Sequence, residues 1–107
     1  MKLVIAIVHD EDSHTLLEAL TKVDIRVTKL ASTGGFLRSG NTTFLIGINP
    51  DRVEEVIEVI RNECNTRTEL KSIPVAGDPH AFMAAPIEVT TGGATVFVVD
   101  VEKYMKL

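Results

Sequence analysis

The chain has 107 residues, 45% of them hydrophobic and only one of them cysteine, and its formal net charge is −4. This length fits a single domain spanning residues 1–107, and the acidic balance excludes a general DNA binder, which needs a basic face toward the phosphates. The lone Cys64 cannot build a disulfide framework, which places the expectation in a reducing cytoplasm.

Residues 2–8 (Lys2-Leu3-Val4-Ile5-Ala6-Ile7-Val8) are β-branched and apolar and predict a central strand. The run is too short to span a membrane and has no small-residue cleavage site, so no membrane association is expected. A helix over 12–23 follows from Leu16, Leu17, Leu20 and Val23 at helical spacing, with Asp10 or Asp12 as N-cap. Residues 25–32 alternate, with Ile25 and Val27 facing one way and Arg26 and Thr28 the other. A Gly-rich loop covers 32–42, a strand 42–49, and a second helix 51–63, whose apolar face carries Val53, Val56, Ile57 and Ile60. A strand over 66–74 ends at Pro74, and residues 75–85 read as a long loop. Strands 86–91 and 94–101 flank Gly92-Gly93, a hairpin signal. The order predicts an α+β, ferredoxin-like βαββαβ sandwich with a C-terminal hairpin. Strand 94–101 is apolar on both faces, which suggests burial against a second subunit.

The loop Ser32-Thr33-Gly34-Gly35-Phe36-Leu37-Arg38-Ser39-Gly40-Asn41-Thr42 is the most unusual feature. Glycines free backbone N–H groups to face an anion and allow close approach of a ligand. Gly35 to Gly40 has the spacing of a P-loop, but Asn41 replaces the lysine and a strand follows instead of a helix, so this is no triphosphate loop. Phe36 and Leu37 must pack on something: a ligand base, a neighbouring subunit or, for Phe36, the subunit's own core. Arg26 beside Thr28 suits a phosphate or a base edge, or a solvated strand edge. Gly47 interrupts Phe44-Leu45-Ile46-Gly47-Ile48, marking either close approach of a ligand or a bulge. His9, Asp10, Asp12 and His14 match no compact zinc motif, and helix capping explains the acids better. Cys64 has no activating partner in sequence, and no catalytic constellation stands out; the expectation is a binding protein without cofactor, metal or enzymatic activity.

Three segments carry a family resemblance: Ala6-Ile7-Val8, the run from Thr28 through Leu45, and Gly92-Gly93-Ala94-Thr95-Val96-Phe97-Val98. They closely resemble the PII-like receptors for cyclic di-AMP, and the likeness spans nearly the whole chain. The resemblance implies a PII-like homotrimer that binds cyclic di-AMP between subunits and signals to a downstream protein partner. It carries the ligand set over to Arg26, Thr28, Gly35, Phe36, Leu37, Asn41, Gly47, Gly92 and Phe97. Phe36 is expected to stack on an adenine, with Thr28 and Asn41 hydrogen-bonding the nucleotide. The family's short loop corresponds to 33–41 and its long mobile loop to 75–85, which the ligand is expected to order. The tail over 102–107 is less typical of the family. The rival readings are a PII-type sensor of ATP or another adenine nucleotide, a cyclic-nucleotide hydrolase, and a structural or metal-tolerance trimer.

Overall fold

The first strand, β1 (Lys2–His9), buries every second side chain. Val4, Ala6 and Val8 point into the core, while Leu3, Ile5 and Ile7 turn to the opposite face and are only half-buried. The computed structural model describes residues 1–30, 40–72 and 86–107.

Helix α1 (Asp10–Lys22) follows β1 without a loop. Its first turn carries Asp10, Glu11 and Asp12, which suits the positive end of the helix dipole. Neither Asp10 nor Asp12 caps the helix, however. His9 occupies the N-cap position with no side-chain bond, because both carboxylates are held by residues distant in sequence. Leu16 and Leu20 are fully buried, but Val23, expected on the same stripe, is 38% exposed at the helix end. There the chain closes a Schellman turn: the amide of Ile25 donates to the Leu20 carbonyl at 2.9 Å and that of Asp24 to Thr21 at 3.0 Å. Asp24 takes the left-handed conformation, φ 59°, that this turn requires.

The turn also shortens the second strand. Ile25 is buried and Val27 packs against the core, as the alternation predicts, but β2 covers only Thr28–Leu30. Strand β3 (Asn41–Ile48) pairs with β1 in unbroken antiparallel register, from His9 opposite Asn41 to Leu3 opposite Gly47 and Lys2 opposite Ile48. Gly47 is therefore not a bulge. A single 3₁₀ turn, Pro50–Arg52, leads into α2 (Val53–Glu63), which buries Val53, Val56 and Ile60.

The main sheet has the order β2-β3-β1-β6, with β6 formed by Ala94–Asp100. Both helices lie against the face that carries Val4, Ala6, Val8, Phe44 and Ile46. This is the ferredoxin-like α+β arrangement. Strands β4 (Arg67–Ser72) and β5 (Pro86–Thr91) form a separate two-stranded ribbon between α2 and β6.

The hairpin expected around Gly92-Gly93 is thus corrected. The strand before the glycines pairs with β4, Arg67 opposite Thr91, and the strand after them pairs with β1, Val8 opposite Ala94. The glycines, at φ 86° and 89°, turn a corner from the ribbon into the main sheet. The open edge of β1 decides the pairing, since β6 there extends the sheet and sets Val96 against the core. Beyond β6 the chain runs on with Tyr104 and Met105 exposed.

Candidate functional site

Alternation sorts the sheet into two faces. The helices cover one. The other carries Leu3, Ile5 and Ile7 of β1, Thr43 and Leu45 of β3, Thr28 and Leu30 of β2, and Phe97 and Val99 of β6, and no described residue covers it. Leu30, Phe97 and Val99 remain 44%, 52% and 42% exposed, an apolar band of the kind that marks an interaction surface.

Four of the residues expected to touch ligand, Thr28, Asn41, Gly47 and Phe97, share this open face. They do not share one cavity. Thr28, Leu45, Ile5 and Phe97 form a row across all four strands, which separates Thr28 from Phe97 by about 14 Å at the ordinary strand spacing. Asn41 and Gly47 lie at opposite ends of β3, about 20 Å apart at the ordinary rise per residue. Arg26 is exposed before β2 and lines a shallow cleft beside the end of α1 with Leu17, Thr21 and Val27. Gly35, Phe36 and Leu37, and the loop over 75–85, lie outside the described residues.

Asn41 and Gly92 do share a cleft. With Ile7, His9, Gly93, Ala94 and Thr95 they line an open cleft of about 270 Å³. It lies at the end of the sheet where β1 finishes and β3 and β6 begin. The chain also leaves β2 at Leu30 and re-enters the described residues at Gly40 on this side. The volume falls just below the roughly 300–1,000 Å³ of small-molecule sites.

The two described glycines of the expected set differ in what a side chain would meet. A Cβ at Gly92 would come within 2.3 Å of the Asn65 carbonyl oxygen and 2.6 Å of Arg67 Nη1. A Cβ at Gly47 would meet only Met1 Sδ, at 3.6 Å, an ordinary contact. Among the described residues nothing calls for glycine at 47.

The surroundings of the cleft were not legible as a site in the sequence. His9 lines it, though its sequence neighbours suggested only capping or metal. Asp12 is 4% exposed and accepts from Arg67 Nη2 at 2.7 Å, tying α1 to the ribbon. This pair holds the guanidinium charge more firmly than usual, first through the Asp12 hydrogen bond and then through Glu69. A signal for it existed: Asp12, Leu16 and Leu20 stand at i, i+4, i+8, which places an acid on the buried stripe. Cys64 is buried at the far side, its carbonyl accepting from the Gly93 amide at 2.5 Å. Burial pushes its thiol up to about 11, and the charges of Asp12 and Glu63 add to this, so it is no thiolate near neutral pH. Among the described residues no group of three His, Cys, Asp or Glu side chains is placed to hold a metal ion. None of the described helices is long and apolar enough to cross a membrane.

The family model for the cyclic-di-AMP receptor matches residues 1–107. The chain belongs to that family. It is also similar to a solved protein of unknown function from Pediococcus pentosaceus ATCC 25745. That protein is 45% identical in sequence with a TM-score of 0.77, the match covering 99% of this chain and 96% of the other.

Proposed function

We propose that this chain is a cytoplasmic, non-enzymatic receptor, a single nucleotide-binding domain that holds cyclic di-AMP between the subunits of a homotrimer. The observation that carries this reading is the distribution of Thr28, Asn41, Gly47 and Phe97. They share one apolar face that no described residue covers, yet lie too far apart for a single cavity. Residues at two ends of one face can surround one ligand when a second copy brings its own set alongside. The exposed Leu30, Phe97 and Val99 supply the apolar area for that contact, and Gly47 leaves room for it.

In this reading Asn41 and Gly92 bind from the cleft. Arg26 and Thr28 meet the phosphates or a base edge, and Phe36 stacks on an adenine while Gly35 and Leu37 shape the loop around it. The output is the order of the segment 75–85, which the ligand shifts only by its preference for the ordered state, and a downstream protein reads that change. Titration calorimetry with cyclic di-AMP, cyclic di-GMP and ATP, with and without magnesium, tests the ligand. Saturable binding of cyclic di-AMP alone is expected. Magnesium-dependent ATP binding in its place would move the chain to an ATP sensor, and nucleotide breakdown during the titration would make it a hydrolase.

A further inference from the structure

Three consecutive carboxylates in the first turn of α1 each reach a different element, and each partner stands at or beside a wall of the cleft. Asp10 Oδ1 accepts from Thr42 Oγ1 at 2.5 Å, next to Asn41, and the Asp10 amide donates to the Gly40 carbonyl at 3.2 Å. Glu11 accepts from the Thr91 hydroxyl, next to Gly92. Asp12 holds Arg67, whose Nη1 would lie 2.6 Å from a Cβ on Gly92 and donates to the Asn65 carbonyl at 3.0 Å. Thr42 and Thr91 are each 5% exposed and Asp12 is 4% exposed, so one end of each tie is buried, while the Asp10 and Glu11 carboxylates are exposed.

We infer that Asp10, Glu11 and Asp12 are positioning residues for the nucleotide. They fix the Asn41 wall and the Gly92 wall of the cleft relative to each other, and through Arg67 and Thr91 they join the cleft to the β4–β5 ribbon. This rests on the reading of the cleft as part of the nucleotide site. The physical reason is geometric. Asn41 begins β3 and Gly92 directly follows β5, and those two strands belong to different sheets with no backbone pairing between them. One helical turn binding both adds to the β1 pairings that set Thr42 and Ala94 on either side of Val8. It also gives a route by which a ligand that draws the walls together moves the ribbon, since Thr91 ends it and Arg67 begins it.

Glu11 itself is exposed, so Glu11→Ala is a test that spares the core. Thr91→Val removes the other half of the bond at nearly constant volume. Each variant is expected to melt close to the parent, to bind cyclic di-AMP about tenfold more weakly, and to exchange the Gly92 and Gly93 amides faster in the free protein. Glu11→Gln keeps a carbonyl acceptor and is expected to restore most of the affinity. The double variant should be no weaker than the weaker single, because both remove one bond. Parental affinity with unchanged exchange at Gly92 and Gly93, or strictly additive losses, overturns the inference. If the parent protein binds no cyclic di-AMP, the ligand reading fails by itself. The exchange rates of the free variants then decide the positioning role: faster exchange supports it and unchanged exchange rejects it.

Discussion

Alanine at Gly92 and alanine at Gly47 are expected to act in opposite directions on the same fold. At Gly92 the left-handed backbone costs an alanine about 1–2 kcal/mol. The new Cβ would also sit 2.3 Å from the Asn65 carbonyl oxygen, which is backbone and cannot swing away. The corner must shift, and the neighbouring Gly93–Cys64 hydrogen bond is lost with it, a further ~1 kcal/mol. The expected total is about 2–3 kcal/mol. At Gly47 the strand register is regular and the Cβ meets only Met1 Sδ at 3.6 Å. There alanine removes unfolded-state freedom and is worth about 0.5–1 kcal/mol in favour of the fold. Urea unfolding followed by far-UV circular dichroism, at one protein concentration and with slopes compared, reads both changes. A Gly92→Ala midpoint equal to the parent's would refute the corner argument. A Gly47→Ala variant that unfolds as early as Gly92→Ala would refute the claim that the chain itself leaves that position open. If Gly47 serves ligand or subunit approach, Gly47→Ala keeps its stability as a chain and loses nucleotide affinity or assembly.

Phe36→Ala is expected to weaken cyclic di-AMP binding by roughly 1–3 kcal/mol, the usual worth of one base–aromatic stack, and loss of cooperative melting instead would make Phe36 a core anchor. Sedimentation at micromolar concentration is expected to show a species three times the 11.7 kDa chain mass, and a purely monomeric boundary refutes the trimer. Stability should fall between about pH 9 and pH 11, because the unfolded Cys64 thiol releases its proton near 9.0 while the buried one keeps it to about 11. The measurement is the difference between the parent and Cys64→Ala, which isolates the thiol, and identical slopes would contradict it.

The strands and helices of the core were legible in the sequence because burial on one side imposes a period. Val4, Ala6 and Val8, Leu16 and Leu20, and Val56 and Ile60 follow it and are all buried. The same alternation placed Arg26 and Thr28 outward and Ile25 inward, and the loop and glycine motifs carried the family. What the sequence could not decide was partnership between distant segments. Gly92-Gly93 is equally suited to a hairpin and to a corner. Only the open edge of β1, far earlier in the chain, selects the corner. Asp10, Glu11 and Asp12 satisfy a local rule for helix starts, yet their bonds run to Thr42, Thr91 and Arg67, which no short-range pattern connects to them. Local propensity depends on neighbours within a few residues, whereas a carboxylate's partner is set by whichever donor the folded chain brings within hydrogen-bond reach. The tertiary structure alone therefore decided that the cleft wall at Asn41 and the one at Gly92 hang from a single helical turn.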